Sequence, residues 1–166
     1  MSKQNELVTT RIFDTSRELV FKAFTETEHL KHWWGPGYMM NVIKFDLRPG
    51  GVFHYIKRSP GGGEMWNKFV YREIIEPERL VYTNSFCDEE GKTIRAPFGP
   101  TWPMEILNTF TFIEQKGKTM LTMRAVPLSA TEEELKTFEA AHDMVQMGFE
   151  GLLDLLGGYL ARVYNL

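Results

Sequence analysis

Cysteine is almost absent: Cys87 is the single one in 166 residues, so no internal disulfide and no Cys-rich zinc site can form. No apolar run approaches the roughly 18 residues that cross a bilayer. The polar start at residues 1–6 lacks the apolar core of a signal peptide, and a cytoplasmic protein without membrane insertion is expected. Neither sign of charge dominates, since 19 Lys+Arg against 22 Asp+Glu give a formal net charge of -3. That balance excludes a duplex-wrapping basic surface, and no nucleic-acid partner is expected. With 43% hydrophobic and 25% charged residues the chain has ordinary globular usage, which argues against disorder and collagen-like repeats. The length suits one domain over residues 1–166, with a core at about 7–160.

Several chemical signatures are missing too. Gly91-Lys92-Thr93 and Gly117-Lys118-Thr119 resemble the end of a phosphate loop, but Phe86 and Phe112 stand where its first glycine is required. Gly35-Pro36-Gly37 is followed by Met40 where a dinucleotide fingerprint needs glycine or alanine. There is no Gly-x-Ser-x-Gly elbow, and Cys87 has no histidine cued to it, so covalent catalysis lacks a nucleophile. His29 and His32 could share a helix face, but no further ligand completes a metal set, and a solvated face is the simpler reading. No metal and no cofactor is expected.

What the chain does have is rings: 12 Phe, 6 Tyr and 4 Trp, with 9 Met beside them. Each ring can bury about 150 to 250 Å², which suits either a large mixed core or an apolar ligand cavity.

The hydrophobic period supplies the elements. Residues 7–13 read as a strand, and Asp14-Thr15-Ser16 offers capping oxygens to a helix carrying Leu19, Val20, Ala23 and Phe24. A second short helix carries Leu30, Trp33 and Trp34 and stops at Gly35-Pro36-Gly37. From Tyr38 the period becomes two. Strands follow around Ile43, Phe45 and Leu47, over 52–57 after the Arg48-Pro49-Gly50-Gly51 reversal, and then over 65–75, 80–87, 104–113 and 119–126. Residues 92–103, with prolines at 97, 100 and 103, read as a long loop over one end of the sheet. About seven mostly antiparallel strands result. Thr131 and Glu134 fit a capping box that starts one long helix of seven or eight turns. Its stripe is Leu135, Phe138, His142, Val145, Phe149, Leu152, Leu156 and Leu160. A curved sheet is the natural partner for that stripe.

Two polar intruders stand out. His142 interrupts the apolar stripe, and Asn108 sits between Ile106 and Phe110 on one strand face. Each is either a hydrogen-bonded core residue or a polar anchor in an apolar pocket. His54 and Glu64 could occupy either face of their strands.

Trp33-Trp34-Gly35-Pro36, FDLRPGG at 45–51, YREIIEPERLVYT at 71–83 and residues 138–148 together resemble the heat-shock-protein-90 ATPase-activator-like family of the START-like (SRPBCC) superfamily, which includes birch-pollen-allergen-like proteins and polyketide cyclases. The resemblance runs from Thr9 to about Leu160. It implies an α+β helix-grip fold: a curved antiparallel sheet around a long C-terminal helix, two small helices after the first strand, and a cavity between sheet and helix. In the superfamily that cavity commonly holds lipids, sterols, polyketides or other hydrophobic molecules, and some members use it for catalysis. The family name implies a co-chaperone, but eukaryotic activators carry an additional N-terminal chaperone-binding domain. The few residues before Leu7 leave no room for one, which argues against a chaperone partner. The carried-over residues have structural roles: the Trp-Trp-Gly-Pro element ends a helix near the cavity mouth, and Arg72, Glu73 and Arg79 belong to strand and turn motifs.

The first reading is therefore a binding protein for a small hydrophobic or aromatic ligand, lipid-like or polyketide-like, with a homodimer left open. Trp34, Trp66, Trp102, Asn108, Phe110, His142, Val145 and Phe149 are its candidate ligand-binding residues, around a cavity of about 300 to 1,000 Å³ lined by rings and Met side chains. A second reading is a cofactor-independent cyclase or hydrolase, in which His142 acts as general acid or base and Asn108 orients a carbonyl. A third is a protein-interaction or co-chaperone module using an exposed sheet face.

Overall fold

A computed structural model describes residues 6–34 and 39–164. The expected helix stop at Gly35-Pro36-Gly37 and the change of period at Tyr38 lie outside the described residues. The elements are β1 (Leu7–Phe13), α1 (Arg17–Thr25), α2 (Thr27–Trp33), β2 (Met39–Phe45), β3 (Val52–Arg58), β4 (Glu64–Ile75), β5 (Arg79–Phe86), β6 (Ile106–Gln115), β7 (Lys118–Pro127), α3 (Glu132–Ala140) and α4 (His142–Tyr164). The seven strands form one antiparallel sheet in the order β1-β7-β6-β5-β4-β3-β2. This is the helix-grip arrangement: the sheet curves around α4, and α1 and α2 pack at one end.

Strand alternation decides which face is covered. On β6, Ile106, Asn108, Phe110 and Phe112 are buried while Leu107, Thr109 and Thr111 are half-buried on the other face. Thr119, Leu121, Met123 and Ala125 repeat the pattern on β7. Register shifts fall between Val42 and Lys44 and between Tyr71 and Glu73, and irregularities of this kind bend and twist the strands that carry them. At the second shift the Arg48-Pro49-Gly50-Gly51 turn docks, with Gly50 N–H donating to Tyr71 O at 2.7 Å and Tyr71 N–H to Gly51 O at 2.9 Å. Gly50 has φ +83, and a Cβ on Gly51 would lie 2.0 Å from the Asp46 carbonyl oxygen, so the paired glycines of FDLRPGG are steric requirements of this turn.

The helices differ from the sequence expectation in one respect. The Thr131–Glu134 capping box forms as expected, but the long helix is two helices. At Ala141 the backbone turns to φ -93, ψ 3, and its N–H is shared among the carbonyls of Thr137, Phe138 and Glu139. The fully buried Phe138 packs with Leu7, Ile106 and Ala125 just before this break. Along α4 the burial is uneven. Leu153, Leu156, Tyr159 and Leu160 are buried, whereas Val145, Phe149 and Leu152 in the first half are only half-buried. That difference places the looser packing at one end of the molecule.

Candidate functional site

The tight end of the core is made by α1 against β6 and β7. Phe24 meets Phe110 edge-on with ring centroids 5.2 Å apart, Phe21 meets Phe112 at the same separation, and Trp33 Nε1–H donates to Ala23 O at 3.1 Å. These contacts pack rings directly against one another. At the other end, beneath the half-buried part of α4, a cavity of about 200 Å³ opens between helix and sheet. The sheet contributes Trp34's neighbours Tyr55 and Phe69 together with Tyr82 and Phe86, the 92–103 loop contributes Phe98 and Trp102, and the helices contribute Phe138, Val145, Phe149 and Leu152. The volume lies below the expected range because the rings fill each other's space: Phe69 and Tyr82 stack at 4.1 Å, and Phe53 and Tyr55 at 4.6 Å. Among the described residues that line it there is no methionine. Met123 is buried in the core, and Met144 and Met147 are exposed on the outer face of α4. A recess of about 330 Å³ between β1 and the end of α4 is larger, but its lining includes exposed Ile12 and Asp14 and one ring, Phe13, so it offers no enclosed apolar site.

One part of the ring-lined cavity is polar. Lys57, Asn67, Asn84 and Asn108 come from four successive strands, β3 to β6, all on the inner face. Pairing explains the grouping: Tyr55 stands opposite Asn67, Asn67 opposite Phe86, and Asn84 opposite Ile106, so two-residue steps along β5 and β6, which keep to one face, bring the three amides into adjoining rows. Asn108 Nδ2 donates to Asn84 Oδ1 at 2.7 Å and to Ile106 O at 3.2 Å. Asn67 Nδ2 donates to Met65 O at 3.3 Å. Tyr55's hydroxyl accepts from Trp34 Nε1–H at 3.1 Å. Burial lowers the Lys57 ammonium below the usual lysine pKa and raises the Tyr55 and Tyr82 phenols above theirs, because each loses solvent around its charged form. The wall thus has one group that carries positive charge and two phenols that stay neutral.

The family model described as Activator of Hsp90 ATPase homolog 1-like protein matches residues 14–161. The chain belongs to this family. The solved structures similar to this activator-like chain include a Mycobacterium smegmatis protein, Ms6760, at 24% identity and TM-score 0.76, covering 95% of this chain and 91% of that one. A Staphylococcus epidermidis protein is 26% identical with TM-score 0.77, covering 98% and 93%, and an Arthrobacter aurescens protein is 19% identical with TM-score 0.79, covering 96% and 88%. A search of curated proteins finds no match.

Within this activator-like fold, five of the sequence-derived candidates line the cavity: Trp34, Trp102, Asn108, Val145 and Phe149. Three do not. Phe110 lies deeper, wedged between Phe24 and Tyr82, because its strand face has already closed onto α1. Trp66 is on the opposite sheet face, with its ring 5.5 Å from His54, because it alternates with the inward Met65 and Asn67. His142 opens α4 at the break after Ala141, edge-on to Phe138 at 5.1 Å, and its Nε2 is buried without a hydrogen-bond partner among the described residues. His142 shares α4 with Val145 and Phe149 but is not among the residues that line the cavity with Asn108. His54 also belongs to the outer face, buried under the 88–91 turn with Nε2 3.3 Å from Asp88 O, while exposed Glu64 accepts from Arg58 Nε at 2.9 Å. His29 is not simply solvated: its Nδ1 lies 2.7 Å from the Tyr159 hydroxyl, and His32 stacks on the same ring at 5.3 Å. Cys87 is buried, and burial pushes its thiol up to about 11, the opposite of an activated nucleophile.

The polar lining residues missed from sequence are Lys57, Asn67 and Asn84, and the rings Tyr55, Phe69, Tyr82, Phe86 and Phe98 were missed with them. The signal was the one that exposed Asn108, a polar residue in phase with inward rings: Lys57 follows Phe53 and Tyr55 at spacing two, Asn67 precedes Phe69 and Tyr71, and Asn84 lies between Tyr82 and Phe86.

Proposed function

We propose that the protein binds a small, mainly apolar molecule of about one ring in the cavity under the first half of α4. The observation that carries this reading is the cavity itself, a ring-lined space with a few convergent polar groups at the loosely packed end of an otherwise close-packed core. Its size sets the class of guest: an apolar void of about 150 Å³ accommodates benzene, so about 200 Å³ accommodates one ring with a short substituent and is too small for a sterol or a long acyl chain. Trp34 and Trp102 on the wall supply an optical reporter. Titration with benzyl alcohol is expected to change tryptophan emission saturably and to raise the melting temperature, as any ligand that binds only the folded state must. Native mass spectrometry of freshly purified protein tests the same reading by retained cargo. An unchanged emission and melting temperature with every single-ring probe would overturn it.

A further inference from the structure

Resting on that reading, we propose that the cavity selects a small neutral aromatic carboxamide, with its ring among the aromatic side chains and its amide paired with Asn84 and Asn108. The hydrogen bonds of the two asparagines fix which of their atoms are spent. Asn108 Nδ2 donates to Asn84 Oδ1 at 2.7 Å and to the Ile106 carbonyl at 3.2 Å; a carbonyl only accepts, so the nitrogen of Asn108 faces these two groups and its Oδ1 is left over. The same bond uses Asn84 as an acceptor and leaves both hydrogens of its Nδ2 unspent. Among the described residues neither Asn108 Oδ1 nor Asn84 Nδ2 has a partner, and neither is sealed off as the Tyr71 hydroxyl and His142 Nε2 are. Asn108 is nevertheless buried, so its open oxygen has the cavity as its outlet. The bond at 2.7 Å also holds the two amides in contact, and one small polar group can meet both. A carboxamide carries the complementary set: its carbonyl accepts from Asn84 Nδ2 and its NH2 donates to Asn108 Oδ1. A ketone or a carboxylate of the same shape only accepts, and by covering Asn108 Oδ1 without donating to it leaves a buried acceptor unpaired. Sites that pair with a guest N–H reject analogues lacking it for this reason. The rings give the other half of the fit: Phe69 and Tyr82, stacked at 4.1 Å, line the space with Trp102 and Phe149 and present faces and edges to a planar guest.

The test compares benzamide with acetophenone, in which a methyl group replaces the NH2, and with sodium benzoate, by isothermal titration calorimetry at neutral pH; benzyl alcohol is the single-ring control. Benzamide is expected to bind wild type about tenfold or more tightly than acetophenone or benzoate. In the double variant Asn84→Leu, Asn108→Leu, benzamide and acetophenone are expected to bind within about threefold of each other. Acetophenone or benzoate binding wild type as tightly as benzamide overturns the inference, and the single-ring reading stands so long as any of the probes binds. If none of the four binds, both fall. A folded double variant that keeps the preference overturns the assignment to Asn84 and Asn108. Should that variant not fold, the side-chain NH2 resonances of Asn84 and Asn108 in wild type decide the matter: saturating benzamide is expected to shift both, and unchanged resonances overturn the inference.

Discussion

Among the described residues, two buried side-chain polar atoms have no hydrogen-bond partner. The Tyr71 hydroxyl lies on the inner face of β4, and burial raises its phenol well above the ordinary range. His142 Nε2 is buried at the start of α4. A buried group left without a hydrogen bond costs about 1 to 3 kcal/mol, so removing it without changing shape releases that penalty. Tyr71→Phe keeps the ring that meets Phe69 and Tyr82 and is expected to raise stability by about 1 kcal/mol in urea unfolding. A loss of similar size would mean that the hydroxyl is satisfied by solvent. His142→Leu is expected to leave stability within about 1 kcal/mol, because no strand partner is stranded by the change, and to leave benzyl alcohol affinity unaltered, because His142 is off the cavity wall. Sequence could nominate His142 as an interruption of an apolar stripe. It could not show that this imidazole stays off the cavity lining and leaves its Nε2 without a partner among the described residues.

The strands were legible because their period of two depends only on which face is covered, and the observed bounds differ from the expected ones by a residue or two at each end. The break at Ala141 was not legible, since no proline or glycine marks it and the apolar spacing runs on through Phe138, His142 and Val145. The capping box was legible from Thr131 and Glu134 alone, and here Glu134 also binds Arg95. Thr131→Ala, which removes the oxygen that accepts Glu134 N–H at 3.1 Å, is expected to cost about 1 kcal/mol. The Glu134 carboxyl is held below its usual pKa, first by the Thr131 backbone N–H and then by Arg95. A carboxyl that ionises more readily folded than unfolded stabilises the protein above its ordinary pKa, and that contribution disappears as pH falls through the depressed value. Thermal melts of wild type and Glu134→Gln should therefore be farthest apart at neutral pH and converge in acid; a constant gap would show that the ionised carboxylate contributes nothing. The polar wall escaped sequence reading for a related reason. Lys57, Asn67, Asn84 and Asn108 are separated by 51 positions from first to last, and only strand register brings them together.

At the scale of the whole molecule, family membership and the order of elements were both readable, whereas the size of the interior space was not, because it is the small remainder left after many rings pack against one another. That remainder makes the protein compressible. Hydrostatic pressure favours the state of smaller volume, and proteins usually shrink by about 20 to 100 mL/mol on unfolding in proportion to the voids they lose. Loss of the space of about 200 Å³ on unfolding is expected to add to that decrease. Pressure unfolding followed by tryptophan fluorescence is therefore expected to give a large volume decrease for the empty protein and a distinctly smaller one when benzyl alcohol saturates the site. Equal values would mean that water already fills the space. The hollow under the first half of α4 thus makes the native state barosensitive, and whatever molecule occupies it acts also as an internal strut against pressure.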